Sequence, residues 1–222
     1  INITIPRNVT EIGRQAFDRC TSLPRVTIPN TVKVIGDRAF AGCTNLEKVT
    51  LSEGVTLIGK GVFAYCVSLT GVILPNTVQL IGDGAFADCT SLEKVTLPKG
   101  IMEIGEETFI SCGNLTDITI PNTVQGIEDA AFADCTSLTR VTIGNGVTTI
   151  GEYAFRSCTG LTSIVIPDSV TTIAANAFDR CENLRLVTLP ADLQEPPVLP
   201  GGDTQTTVIP DDLLPPMIVL KV

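Results

Sequence analysis

The sequence contains no histidine and no tryptophan, and only two tyrosines and two methionines. Without histidine it lacks the usual general base near neutral pH and the commonest metal ligand. Chemistry built on imidazole is therefore excluded, and no cofactor is expected. No apolar run approaches the ~20 residues needed for a helical membrane span. Positive charge is scarce: 15 Lys and Arg stand against 24 Asp and Glu, a net charge of −9. Such a chain repels nucleic acid and anionic membranes over most of its surface. No leader segment is recognisable, and because the chain begins at Ile1 it reads as a processed or trimmed piece of a longer protein.

What the sequence does have is a period. Its eight cysteines lie 23 residues apart, from Cys20 and Cys43 to Cys158 and Cys181. Its eight phenylalanines, from Phe17 to Phe178, each precede a cysteine by three. A leucine follows each cysteine by three, from Leu23 to Leu184, and an isoleucine precedes each phenylalanine by five, from Ile12 to Ile173. Four residue types hold one register eight times without an insertion, which is the signature of a repeat architecture.

Residues 26–48 show one unit, VTIPNTVKVIGDRAFAGCTNLEK. Val26-Thr27-Ile28 alternates as a short half-buried strand does. Pro29 has no N–H to donate and ends the pairing. Asn30-Thr31 is a turn, where other units place Gly54, Gly100 or Gly146. Residues 32–35 form a second extended arc, and Gly36 opens a bend into a short helical turn at Ala39-Phe40. No unit closes a core alone. Stacked at ~4.8 Å, eight units cover one another and build a body about 40 Å long.

The segment Leu23-Pro-Arg-Val26-Thr-Ile28-Pro resembles the LxxLxL strand signature of leucine-rich repeats. The 23-residue length, the proline after the strand and the Ala-Phe-x-x-Cys-x-x-Leu segment resemble the BspA-like, treponemal-type subclass. The resemblance covers residues 3 to 193. It implies a leucine-rich-repeat solenoid of eight stacked units, with a parallel β-sheet on the concave face and a short second arc and helical turn in each unit. It also implies a cell-surface or secreted location, and adhesion to host matrix or another surface protein. Residues 1–193 are expected to form the solenoid, with eight repeats and a partial ninth. Residues 194–222 are expected to supply a Pro-rich segment and a capping strand, with a disordered tail as the alternative.

Two departures stand out. Glu128 and Ala174 occupy the lane of Gly36, so either that lane does not demand a positive φ or those two units are strained by roughly 1 kcal/mol each. The fifth unit carries Thr108 where residue 39 is alanine and Ile110 where residue 41 is alanine, and is the least regular.

The chemistry such lanes could carry is limited. The cysteines form one periodic lane, read as small buried hydrophobes, with neighbours close enough that bridging is not excluded by distance. Zinc binding needs ligand pairs two to four residues apart, and there is no C-x-x-C. Asp37, Asp83, Glu106, Asp129 and Glu152 share an acidic lane broken by Lys60. It is read as a solvated turn, with weak calcium binding as the rival, and no metal is assigned. Sequons occur at Asn2, Asn8 and Asn114, and matter only in a secreted eukaryotic protein. No nucleophile, base and orienting residue recur at a usable spacing, so an enzyme is not expected.

The outward strand positions are the candidate site. One lane runs Arg25, Lys48, Gly71, Lys94, Asp117, Arg140, Ser163 and Leu186, and the next is mostly threonine. Arg25, Thr27, Lys48, Thr50, Lys94, Thr96, Thr119, Arg140 and Thr142 are the expected contact residues for a protein partner. The rival reading is β-propensity of threonine together with pairing of the lysines by Glu47 and Glu93. At the level of the whole chain the alternative is a structural spacer with no partner. An ice-binding threonine array is disfavoured because only one column is regular. A monomer is expected.

Overall fold

The computed structural model describes residues 3–190, 193, 197–198 and 218–221. The 23-residue units stack as turns of a parallel β-solenoid, and each turn has three sides. The first is a strand: Arg25–Ile28, Lys48–Leu51, Gly71–Ile73 and Lys94–Thr96 pair in that order. Asp117–Thr119 pairs with Arg140–Thr142, and Ser163–Val165 pairs with Leu186–Leu189. The second side is a two-residue arc per turn, such as Val34–Ile35 beside Leu57–Ile58. Register is 23 between the units, with Arg25 opposite Lys48 and Ile35 opposite Ile58. Equal spacing without insertions permits no other alignment that keeps every apolar lane inward.

The third side corrects the expectation of a helical turn. Residues 13–20 of the first turn, and their equivalents, form no helix among the described residues. Their N–H groups alternate between two destinations. Gln15, Phe17 and Arg19 donate to the carbonyls of Asp37, Ala39 and Ala41 on the next turn. Ala16, Asp18 and Cys20 donate three residues back, to Gly13, Gln15 and Phe17. A helix would use every N–H within its own turn, whereas here half of them form a ladder between turns. The geometry requires left-handed residues at two lanes, including Gln15 at φ 56° and Arg19 at φ 56°, and Tyr153 at φ 56° six turns further on.

The Gly36 lane is not one of those left-handed lanes. Its glycines permit close approach: a Cβ on Gly36 would lie 2.8 Å from the backbone nitrogen of Arg14, and one on Gly82 would lie 2.6 Å from that of Lys60. Glu128 and Ala174 therefore incur no left-handed strain. Glu128 is half-buried, and its carboxyl is raised above the usual range by that burial and then by Glu103 and Asp129.

The core is a column of stacked rings. Successive phenylalanines lie 5.0 to 5.7 Å apart with interplanar angles of at most 21°, within the range favoured for offset stacking. Phe40 to Phe178 are fully buried, while Phe17 at the first turn is half-buried. Val, Ile and Leu of the two sheets enclose the rings from the other sides.

Both sheet sides break at the fifth turn, and the strand side breaks once more, after Arg140–Thr142. Leu80–Ile81 and Glu103–Ile104 fall in separate sheets, and so do Lys94–Thr96 and Asp117–Thr119. The fifth turn thus loses one pairing on each side, in a different sheet each time. It carries a fully buried Thr108, whose hydroxyl donates to the Gly105 carbonyl at 2.8 Å, and Ile101 where the other turns have valine. Extra interior volume is the physical reason to expect displacement there.

At the far end Ile218–Lys221 runs parallel to Leu186–Leu189, with Leu186 opposite Ile218. The Pro-rich segment expected within 194–222 lies mostly outside the described residues. No helix among the described residues is long and apolar enough to cross a membrane.

Candidate binding surface

The cysteine lane is structural. Seven of the eight thiols are buried and all eight are free. Cys43 donates its S–H to the carbonyl of Phe17 on the preceding turn at 3.2 Å, and the pattern repeats to Cys181 and Phe155 at 2.9 Å. Each of those carbonyls also accepts a backbone N–H from within its own turn. A small apolar side chain with one weak donor fits this position, which accounts for cysteine there. Burial pushes the Cys43 thiol up to about 11 and Cys181 up to about 12, and raises those between them as well. The expectation of eight buried thiols needs one correction: Cys20, in the first described turn, is half-exposed.

The acidic lane also serves the stack. Asp37 Oδ1 accepts the N–H of Lys60 at 2.9 Å, and Asp129 Oδ1 accepts that of Glu152 at 2.7 Å. Lys60, which interrupts the lane, reaches Asp83 at 2.7 Å. No three potential ligands converge on a metal site among the described residues.

The strand face differs from both. Arg25, Thr27, Lys48, Thr50, Lys94, Thr96, Thr119, Arg140 and Thr142 are all exposed on one side of the solenoid. Register places Thr27 beside Thr50 and Thr119 beside Thr142. Arg25 lies beside Lys48, and Lys48 and Lys94 lie on either side of Gly71. Pairing by Glu47 and Glu93 is not found: none of the four cations makes an ion pair among the described residues. Consecutive residues of a strand point to opposite sides, and where Glu47 and Lys48 are both exposed at the strand's start their charged ends do not meet. The chain's only tyrosines lie on the turn side, where the Arg156 guanidinium sits 5.5 Å above the Tyr153 ring.

The face is not uniform. Between Arg140–Thr142 and Ser163–Val165 the sheet is unpaired, and an open groove of about 930 Å³ runs past Arg140, Thr142, Ser163 and Val165. Further along, Ile73 stands in the threonine lane with 73% of its surface exposed. Neither Gly71 nor Ile73 is among the contact residues expected from the sequence. A break in an otherwise regular lane was the available signal.

A family model for the BspA-type leucine-rich-repeat region matches residues 1–114 and 102–196, in six copies. The chain belongs to the BspA-type leucine-rich repeat family. No curated protein matches it. Among solved structures, it is similar to a leucine-rich repeat protein of T. pallidum. The two are 34% identical, with 72% of this chain and 78% of that one covered and a TM-score of 0.67. A leucine-rich repeat protein from Eubacterium ventriosum is 32% identical over 71% of this chain, again at a TM-score of 0.67, and this chain spans 42% of its length. The pneumococcal vaccine antigen PcpA shares the fold at 22% identity and a TM-score of 0.54, with 83% of this chain and 55% of that one covered. BspA-type membership accounts for the turn order and the cysteine lane. It leaves open what the strand face carries, because a fold of this kind hosts sites rather than defining them.

Proposed function

We propose that this chain is a non-enzymatic, protein-binding module of a cell-surface or secreted protein, and that its strand face is the docking surface. The observation that carries this reading is the set of four exposed cations, Arg25, Lys48, Lys94 and Arg140, that make no ion pair among the described residues and share one lane of a chain with net charge −9. Like charges in one lane gain nothing for folding, and close pairs repel slightly. A face that costs stability without a structural return is better accounted for by a partner with acidic character. Membership of the BspA-type family supports the surface reading.

The test replaces all four cations by serine. Stability should change by no more than about 1 kcal/mol, as expected at exposed sites. Affinity for matrix proteins should fall, and its salt dependence should flatten, because surface charge is screened within ~8–10 Å at physiological salt. Equal binding of both proteins at low and physiological salt would favour the spacer reading instead.

A further inference from the structure

Within the strand face, the Gly71–Ile73 strand differs from its neighbours. Gly71 contributes no side chain, and in register on either side of it are Lys48 and Lys94. The result is a notch between two ammonium groups whose strands lie roughly 10 Å apart, two pairing distances. Two positions along the same strand, Ile73 projects where neighbouring strands carry Thr50 and Thr96, and it is the most exposed large hydrophobic among the described residues. The face therefore has a direction along the strand: basic over Gly71, apolar at Ile73.

We propose that this notch binds an extended acidic-x-aliphatic segment of a protein partner. The partner's carboxylate sits over Gly71 between Lys48 and Lys94, and its aliphatic side chain lies on Ile73. The spacing fits, because residues i and i+2 of an extended peptide project on one face about 6.6 Å apart, the same interval that separates positions 71 and 73 within their strand. Charge complementarity selects the acidic residue, and the order of the lysines and Ile73 along the strand sets the peptide's direction. A carboxylate held by two ammonium groups that make no ion pair among the described residues gains charge-assisted hydrogen bonds. A polysulfated chain would satisfy the lysines but would make no use of Ile73. This inference rests on the strand-face reading and narrows it to one site.

Two substitutions test it without endangering the fold. A Cβ on Gly71 would lie 3.4 Å from the Lys94 carbonyl, an ordinary contact, and the backbone there is not left-handed. Gly71→Thr and Ile73→Thr both install a β-favouring residue on an exposed strand. The probe is a short peptide containing Glu-Thr-Val, with Gln-Thr-Val and Glu-Thr-Ser controls, followed by amide chemical shifts of the protein. Saturable shifts centred on Val72, Ile73 and Thr96 are expected. Gly71→Thr should weaken the parent peptide about tenfold or more. Ile73→Thr should weaken the parent peptide and leave the Glu-Thr-Ser control unchanged. A Lys33→Ser/Lys99→Ser variant, which removes two exposed cations outside the strand lanes, should bind the parent peptide as wild type does. No saturable shift at millimolar peptide would overturn the notch, as would peptide binding indifferent to both substitutions. Heparin binding lost in proportion to the number of cations removed, with no peptide binding, would replace it with a polyanion surface. Failure of the notch while the fourfold serine variant still loses matrix binding would leave the wider face standing.

Discussion

The turn side and the two sheet sides of this solenoid share one period, yet they respond differently to the irregular fifth unit. Around that unit each sheet loses a pairing, between Leu80–Ile81 and Glu103–Ile104 on one side and between Lys94–Thr96 and Asp117–Thr119 on the other. The turn side loses none. Gly84, Phe86 and Asp88 donate to Glu106, Thr108 and Ile110, and Glu107, Phe109 and Ser111 donate to Asp129, Ala131 and Ala133, all within 3.0 Å. The difference lies in how each side is held. A two- or three-residue strand has only its neighbours across the ladder, so added interior volume separates it. In the turn side each bond between turns alternates with a bond inside its own turn, and the stacked rings lie directly behind. That geometry puts non-glycine residues such as Arg38 and Tyr65 at positive φ, at roughly 1 kcal/mol each. The ladder and the ring column offset that cost.

If the turn side is the spine, truncations behind it should cost more than truncations behind a sheet. Phe86→Ala should destabilise by ~3–5 kcal/mol, because the rings above and below cannot collapse into the gap. Val95→Ala, half-buried on the strand beside the fifth-unit break, should cost no more than about 1–2 kcal/mol. Denaturant unfolding of both variants measures this, and comparable losses would remove the distinction.

A smaller effect sharpens the same contrast at the end of the stack. Thiolate is the reactive form, and burial holds Cys43 through Cys181 far from ionising at neutral pH. Titration of the native protein should therefore find one accessible thiol, Cys20, and denaturant should release the other seven. Two or more fast thiols in the native state would mean that the turn side opens.

Much of this was legible in the sequence, and the misreading has a physical cause. Spacing alone gave register, the inward lanes and the exposure of Arg25, Lys48, Lys94 and Arg140, because a fixed period without insertions leaves no freedom in alignment. The turn side was read as helical because Ala39, Phe40 and Cys43 show apolar spacing that a helix shares. What a helix lacks is left-handed residues, and these lanes hold Gln15, Glu107 and Tyr153, types that give no sign of positive φ. Gly42, Gly61 and Gly84, scattered through the same two lanes, were the available clue. The missing partners of the lysines lay beyond pattern reading, since Glu47 next to Lys48 in sequence does not determine where two exposed side chains point.

Native-state hydrogen exchange tests the spine most directly, since it reports opening free energies amide by amide. The amides of Phe86 and Phe109, which bridge into and out of the fifth unit on the turn side, should exchange only on global unfolding. Those of Leu97 and Gly105, on either side of the same unit where the sheets are unpaired, should exchange through local opening at a lower free energy. Equal protection at all four, or faster exchange at Phe86 and Phe109, would contradict the account.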